Sequence, residues 1–173
     1  MEIRRATGAD ALAIATVHVR SWQSAYEELL PQRYLDGLDP RDGAEQWQAV
    51  LDATAWPTNG ILVLVDEPGA ITGFAHLGPT RDHDDDPMTV GELQTLYLDP
   101  GVWRHGGGSL LLGAVQTQMG EAGFRTATAW TLENNAPARS FYERHGWRPD
   151  GATKFHDWGA FLATDVRYRV ALV

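Results

Sequence analysis

A glycine-rich segment between a predicted strand and a predicted helix could hold an anion. Its residues are Trp103, Arg104, His105, Gly106, Gly107, Gly108 and Ser109. The N-terminus of a helix leaves several backbone N–H groups unpaired and carries partial positive charge, so it can bind a phosphate. Glycine removes the Cβ atoms that would keep a ligand away from the main chain, and Arg104 and His105 can add side-chain donors. The alternative interpretation is a glycine-rich turn that binds nothing.

Two other nucleotide-binding motifs do not fit this segment. A P-loop requires Gly-Lys-Ser/Thr, whereas Gly108 is followed by Ser109 and Leu110. The dinucleotide fingerprint lacks its third glycine, because Leu111 stands in that place. The segment also follows three consecutive predicted strands, whereas the fingerprint follows the first strand of a βαβ unit.

The overall composition limits the class of protein. The formal net charge of −9 disfavours nucleic acid as a partner and favours a cationic or neutral small substrate. The absence of cysteine excludes disulfides, thiolate metal sites and acyl transfer through a cysteine. The N-terminus lacks the apolar core of a signal peptide and no run is long enough to cross a bilayer, so we expect a cytoplasmic protein without membrane attachment. The acidic run at 81–87 is either a solvated loop or a surface that attracts a polyamine or amino sugar.

The hydrophobic pattern divides the chain into strands and helices that we expect to form a single domain, 1–173. Strands are predicted at 2–5, 61–65, 70–78, 92–99, 125–132, 147–155 and 163–172. Helices are predicted after the caps at 7–10, at about 32–37, 41–54 and 106–120, and within 134–146. This order predicts an α/β (α+β mixed) fold, with a mixed sheet and helices on both faces.

Two segments together resemble the signature regions of the GNAT superfamily, the Gcn5-related N-acetyltransferases. The segment "ELQTLYLDPGVWRHGGGSLLLGAV" is similar to that family's strand, pyrophosphate loop and helix, where the loop reads Gln/Arg-x-x-Gly-x-Gly/Ala. Trp103 stands in place of the usual Gln or Arg, which removes one side-chain donor but leaves the backbone donors. The segment "LENNAPARSFYERHGW" is similar to the family's Asn-x-x-Ala-x-x-x-Tyr-Glu-x-x-Gly-Phe pattern, with matches at Asn135, Ala138, Tyr142, Glu143, Gly146 and Trp147.

The resemblance implies the GNAT fold and acetyl-CoA as cosubstrate, with no metal. In that fold a central, mostly antiparallel, twisted sheet of about six to seven strands is flanked by helices, and two parallel strands, here 92–99 and 125–132, splay apart. Acetyl-CoA would lie in the opening, with its pyrophosphate on the N–H groups of 104–109. Backbone groups near Leu96, Tyr97 and Leu98 would pair with the pantetheine arm, which Asn135 and Ala138 would also contact. The resemblance further allows a homodimer.

The chemistry implied is direct acetyl transfer from acetyl-CoA, with CoA as product, to a primary amine of a small molecule or peptide. An alkyl ammonium must first lose a proton, so a carboxylate base is needed. Glu92 is the first candidate, because it lies eleven residues before Trp103, the spacing at which several family members place their base. Glu92 could equally cap a sheet edge or pair with an arginine. His76 is the reserve candidate, although a lone histidine among apolar residues is more often a core group.

Tyr142 matches the family tyrosine that lies near the CoA sulfur and can protonate the leaving thiolate, although it could also be a core aromatic residue. A backbone N–H of Leu96 or Tyr97 would stabilise the oxyanion. Candidates for the acceptor pocket are Trp22, Tyr26, His76, Asp82 and Trp158. Trp22 and Tyr26 lie one helical turn apart, which fits a shared binding face and fits a core stripe equally well.

Two rival functions remain open at this point. One is an acyl-CoA-binding sensor that retains the fold without turnover. The other is an acyltransferase that uses a larger acyl group. Glu92 and Tyr142 favour catalysis over sensing, and the residues alone identify neither the amine nor the acyl chain.

Overall fold

The computed structural model describes residues 1–28, 31–67, 69–157 and 162–172. The strands are β1 (Glu2–Arg5), β2 (Gly60–Val65), β3 (Ile71–Pro79), β4 (Val90–Leu98), β5 (Thr126–Leu132), β6 (Arg148–Asp157) and β7 (Leu162–Ala171). The helices are α1 (Ala11–Ala25), α2 (Gln32–Asp36), α3 (Pro40–Asp52), α4 (Gly107–Glu121) and α5 (Ala136–Arg144). In these ranges no helix has the length and apolar content that crossing a bilayer requires.

All seven strands belong to one sheet, in the order β1-β2-β3-β4-β5-β7-β6. Neighbouring strands run antiparallel, except for β4 and β5, which are parallel. The α4 helix makes the crossover between β4 and β5 that a parallel pair requires. The prediction of a mixed, mostly antiparallel sheet is confirmed.

Helices pack on both faces of the sheet. On one face α4 buries apolar side chains at helical spacing: Leu111, Leu112, Val115 and Met119. On the other face α1 and α3 bury Ile14, Val17, Trp47 and Leu51 against the strands. Because β2 has helices on both sides, its run "GILVLV" is almost entirely buried and shows no polar alternation.

The parallel strands β4 and β5 diverge after a short paired stretch. Their register begins at Val90 opposite Thr126 and ends at Leu93 opposite Ala129. A register shift then follows between β3 and β4, where His76 pairs with Thr95 but the next residue of β3 pairs with Leu93. Such a bulge places an extra residue on β4 and increases its local twist. The remainder of β4 stays with β3 while β5 stays with β7, so a cleft opens between them.

Candidate functional site

A cleft of about 1470 Å³ opens where β4 and β5 diverge. Residues proposed from the sequence that line it are Trp22, Tyr26, Glu92, Leu96, Tyr97, Leu98, Trp103, Arg104, Gly106, Gly108, Ser109, Asn135, Ala138 and Tyr142. Proposed residues that lie outside the lining are His76, Asp82, His105 and Gly107. Trp158 falls outside the described residues.

The segment that leads into α4 has a backbone suited to binding an anion. Gly106 is the N-cap of α4 with φ of +84°, and Arg104 has φ of +64°. Left-handed residues beside right-handed ones bring successive N–H groups together into an anion-binding concavity. In the part of the chain that the structure describes, no backbone N–H of residues 104–109 donates to a protein acceptor. These donors and the positive end of the helix dipole together suit a phosphate.

Glycine occupies the three positions 106, 107 and 108 for different structural reasons. A Cβ on Gly107 would lie 2.8 Å from Cδ2 of Leu64 and 3.0 Å from Cδ2 of Leu98, so Gly107 lets α4 pack closely on the sheet. Gly106 is required by its positive φ, since a Cβ there would meet no atom within 4 Å. Gly108 lines the cleft, where a Cβ would lie 3.3 Å from the ring of Phe141. Only part of the glycine pattern therefore concerns access to the main chain.

Ser109 connects the start of α4 to the end of α5 through His145. His145 Nδ1 lies 2.8 Å from the carbonyl oxygen of Phe141, and its Nε2 lies 2.9 Å from Oγ of Ser109. A carbonyl can only accept, so Nδ1 carries the proton, and Nε2 of the neutral ring accepts from the Ser109 hydroxyl. The two helices whose ends border the cleft are thereby held together.

Trp103 binds the end of β4. Its indole Nε1 donates to the carbonyl oxygen of Leu98 at 2.8 Å, and the Ser21 hydroxyl donates to the same oxygen. The Leu98 carbonyl is therefore already occupied within the protein. The departure of Trp103 from the family motif has a structural role here. Because Asp99 donates its N–H to Thr72 of β3, Tyr97, two residues earlier, also directs its backbone groups to β3, and Leu96 is the residue whose backbone faces the open edge.

Tyr142 packs in the wall of the cleft among aromatic rings. Its ring centroid lies 5.6 Å from that of Tyr168 and 5.5 Å from that of Trp147. Among the described residues its hydroxyl has no hydrogen-bond partner, and burial, followed by the influence of Tyr97, raises its pKa well above the usual value. Tyr142 therefore stays protonated at neutral pH and can donate.

The opposite wall carries aromatic residues of α1 and β4. The rings of Trp22 and Tyr26 lie 5.0 Å apart, and Tyr97 stacks on His18 at 5.1 Å. Burial raises the pKa of both Tyr26 and Tyr97. The pair Trp22 and Tyr26 thus borders the cleft and packs with the aromatic core at the same time.

Glu92 lies at the floor of the cleft and is bound by Arg81. Its carboxylate accepts from the Arg81 backbone N–H at 2.9 Å and from Arg81 Nε at 3.2 Å. The Glu92 side chain is 2% exposed, whereas that of Arg81 is 63% exposed. The arginine pairing considered from the sequence is therefore present, and the guanidinium covers the carboxylate.

The other titratable groups proposed from the sequence have internal partners. His76 Nε2 lies 3.1 Å from Oδ1 of Asn59, and burial lowers the pKa of His76 to about 4. The carboxylate of Asp82 accepts from Trp130 Nε1 at 2.9 Å and from Arg167 Nη1 at 3.1 Å, and it also binds Lys154. Burial opposes ionisation of Asp82, but these hydrogen bonds outweigh it and keep its pKa below the usual value.

The acidic run at 81–87 folds onto the buried side chain of Arg167. Arg167 donates to Asp84 at 2.8 Å, to Asp85 at 3.2 Å and, through Nε, to Asp150 at 2.7 Å. Its side chain is only 6% exposed. The run therefore forms an ion-pair network with Arg167 in which Asp82 is buried and Asp85 half-buried, while His83, Asp84 and Asp86 stay exposed to solvent.

Several lining residues were not found from the sequence. They are Arg81, Trp130, Arg144, His145, Lys154, His156 and Asp165. Lys154 and His156 alternate along β6 and so point to one face, and His156 Nε2 pairs with Oδ2 of Asp165 at 3.0 Å. This alternation was a detectable signal, but only the sheet order shows that β6 and β7 lie beside the cleft.

Comparisons with known proteins agree with this geometry. The uncharacterized N-acetyltransferase YuaI of Bacillus subtilis is 32% identical over 83% of this chain and 78% of its own length. The structure of PaiA N-acetyltransferase from Thermoplasma acidophilum in complex with coenzyme A superposes with a TM-score of 0.79 at 20% identity, covering 98% of both chains. The structure of YncA from Salmonella typhimurium with its cofactor acetyl-CoA has a TM-score of 0.72 at 20% identity, covering 100% of this chain and 94% of that one.

The family assignment follows from sequence as well as fold. The two solved structures share the fold, and the Bacillus subtilis relative extends the likeness to the sequence. The family model described as Acetyltransferase (GNAT) family matches residues 21–147, which include β4, the segment before α4 and all of α5. The chain therefore belongs to the GNAT acetyltransferase family.

Proposed function

We propose that this acyl-CoA-dependent N-acetyltransferase moves the acetyl group of acetyl-CoA directly to a primary amine on a small molecule or peptide. The observation that carries the proposal is the set of unpaired N–H groups at 104–109, which borders the cleft between β4 and β5. A diphosphate matches these donors in charge and in hydrogen-bonding capacity. Relatives in the family support acetyl-CoA as the donor, since PaiA was solved with coenzyme A and YncA with acetyl-CoA.

The residues of the cleft divide the binding of such a cosubstrate among themselves. Residues 104–109 would hold the diphosphate, and the unpaired edge of β4 at Leu96 would pair with the pantetheine amides. Asn135 uses its Oδ1 to cap α5 through the N–H of Ala138, at 3.2 Å, so its amide nitrogen is the group that would contact the pantetheine arm. No covalent enzyme intermediate is required, in keeping with the absence of cysteine.

The reaction removes two protons from the acceptor nitrogen. A base removes one proton from the acceptor ammonium, so that the neutral nitrogen can attack the thioester carbonyl. The backbone N–H of Leu96, which faces away from β3, stabilises the negative oxygen that forms, and the C–S bond then breaks. Tyr142 protonates the departing sulfur and regains a proton from the new amide nitrogen. The net result is an acetylated amine, CoA with a free thiol, and one proton released to solvent.

The base remains a proposal with two candidates in the cleft. Glu92 must act through water or release Arg81, because Arg81 covers its carboxylate. His156 also lies in the lining, with its Nε2 3.0 Å from Oδ2 of Asp165, and imidazole is a common general base.

Calorimetry and thiol release together test the proposed function. We expect CoA to bind the purified protein with micromolar affinity or better, and free thiol to appear faster than without enzyme when acetyl-CoA is supplied with an amine panel. A sensor would bind acetyl-CoA and release no thiol with any amine. Comparison of acetyl-CoA with longer acyl-CoA thioesters in the same assay tests the acyl chain. Absence of CoA binding would remove the basis of the proposal.

A further inference from the structure

Three pairs of a basic and an acidic side chain lie along the part of the cleft formed by Arg81, β6 and β7, which we call the acceptor side. In each pair the basic partner is the more exposed. The side chain of Arg81 is 63% exposed and that of Glu92 2%. Lys154 is 41% exposed and its partner Asp82 3%. His156 is 40% exposed and Asp165 20%. Basic groups thus form the accessible surface, and the carboxylates lie behind them.

Arg81 is held in a position to bind an anion. Its backbone N–H and its Nε both donate to the Glu92 carboxylate, at 2.9 Å and 3.2 Å, and this fixes the guanidinium plane. Its Nη1 has no acceptor among the residues that the structure describes. An arginine anchored in this way loses little side-chain entropy when its remaining N–H groups bind a carboxylate or phosphonate.

Lys154 provides a second cation on the same side. Its Nζ lies 4.0 Å from the ring centroid of Trp130, and both residues line the cleft. The buried carboxylate of Asp82 and the indole together restrict where this ammonium can lie. Because Asp82 itself is not part of the lining, an incoming ligand meets the ammonium.

The cleft offers few accessible carboxylates that could bind a polycationic acceptor. Arg167 engages Asp82, Asp84 and Asp85, although the chain as a whole has a net charge of −9. The carboxylates of the described lining are Glu92 and Asp165, and each has a basic partner. The net charge of the protein is therefore a poor guide to the charge of its acceptor.

We infer that the acceptor is an amine that also carries a carboxylate or similar oxyanion, such as an amino acid or an aminoalkylphosphonate, and that Arg81 and Lys154 bind this anionic group. The inference deepens the proposed function and rests on it. It replaces the polyamine or amino sugar considered from the acidic run with a zwitterionic substrate class. Arg81 and Lys154 are then the residues that determine specificity.

Equilibrium binding in the presence of saturating CoA tests this inference without requiring turnover. The probes are the L-amino acids and 2-aminoethylphosphonate, compared with matched amines that lack the anion, such as phenethylamine for phenylalanine, and with spermidine. We expect the best anionic amine to bind at least about tenfold more tightly than its matched amine, the contribution of a hydrogen bond to a charged group. The inference would be overturned if the best anionic amine bound no more tightly than its matched amine or spermidine. Absence of binding by every anionic probe would overturn it as well.

Variants connect the preference to Arg81. Removing Arg81 alone would leave a buried charge, so the test uses the double variant R81Q/E92Q, which replaces both partners with neutral groups, and the single variant R81K. We expect the double variant to weaken binding of the anionic amine by about tenfold to a hundredfold and so to abolish its preference over the matched amine. R41Q, which removes an exposed cation on α3 outside the cleft, is the control and should bind like the parent protein. An unchanged preference in R81Q/E92Q and R81K would contradict the role of Arg81.

The two proposals fail in different ways. Failure of the proposed function appears as CoA binding without thiol release for any acceptor. Failure of the present inference appears as loss of the preference for anionic amines in the binding experiment, whether or not acetyl transfer occurs.

Discussion

The carboxylate of Glu92 is bound by Arg81, which stands eleven residues before it in the sequence and contributes both its backbone N–H and its guanidinium. The Glu92 carboxylate lies at the floor of the cleft, and the Arg81 guanidinium covers it. This relationship gives Glu92 two separable roles, as a proton acceptor reached through water and as the anchor of Arg81. The roles differ in what they predict for the dependence of turnover on pH.

The Glu92→Gln substitution tests the first role. If Glu92 is the base, kcat should fall mainly at low pH, where the acceptor amine is hardest to deprotonate. His156→Asn is the matched variant, since it removes the second candidate base of the lining. Steady-state kcat measured from pH 6 to 9 separates them. If kcat of E92Q depended on pH as kcat of the parent protein does, and kcat of H156N fell at low pH, His156 and not Glu92 would be the base.

Tyr142→Phe tests the donor to the leaving thiolate. We expect kcat to fall by about ten- to a thousandfold, because the sulfur would leave without a nearby acid, while CoA affinity changes little. Tyr168→Phe is a suitable control: Tyr168 stacks on Tyr142 at 5.6 Å but lies outside the lining. That control loses the 2.7 Å hydrogen bond to Glu143 and the 3.1 Å hydrogen bond from Arg139 Nε, and it should cost about 1–3 kcal/mol of stability with little loss of turnover. Turnover of Y142F equal to that of the parent would restrict Tyr142 to packing.

Gly107→Ala and Gly113→Ala should have opposite effects on stability, although both lie in α4. A Cβ at Gly107 would come within 3.0 Å of Leu64 and Leu98, so we expect G107A to lose about 1–3 kcal/mol of unfolding free energy through overpacking. A Cβ at Gly113 would meet no atom within 4 Å, so G113A should gain up to about 1 kcal/mol from higher helix propensity. Urea denaturation measures both. If both variants changed the unfolding free energy in the same direction, close packing of α4 on the sheet would not be the reason for glycine at position 107.

Arg167→Met should reduce stability and change its dependence on pH. Hydrogen bonds from Arg167 lower the pKa of Asp84 to about 2, and Asp82 and Asp150 also have lowered pKa values because their ion pairs outweigh burial. A carboxyl group with a lowered pKa contributes stability above its unfolded value, about 4, and loses it as the pH falls towards the folded value. We therefore expect R167M to be less stable by about 3–5 kcal/mol at pH 7, with the deficit shrinking below pH 4. Urea unfolding at pH 7, 4 and 3 checks this, and a deficit that does not vary with pH would contradict it.

The elements of the fold were predictable because each depends on local sequence. The spacing of Leu111, Val115 and Met119 indicates a helix packed on one side, and α4 has that form. The parallel arrangement of β4 and β5 came from the family resemblance together with the helix between them. Pairing partners such as β7 beside β5 could not be read from periodicity, which carries no information about strand order.

Side-chain partners within the site were harder to predict than the site itself. Sequence reasoning placed Glu92, Asn135 and Tyr142 in one cleft, and all three line it. It did not detect that Arg81 covers Glu92 or that Arg167 binds the acidic run, because each pair joins segments whose separation in space depends on the sheet. Arg167 lies more than eighty residues from Asp84 along the chain, an ion pair that no local pattern reveals.

The amino-acid sequence by itself determined the kinds of elements and the unpaired backbone N–H groups at residues 104–109 for which we propose a diphosphate, since left-handed glycine and the free N–H groups at a helix start arise within a few residues. The tertiary structure alone decided which charges remain accessible in the cleft. Burial and pairing set that balance: strands brought together from distant parts of the chain place Glu92 and Asp82 behind Arg81 and Lys154.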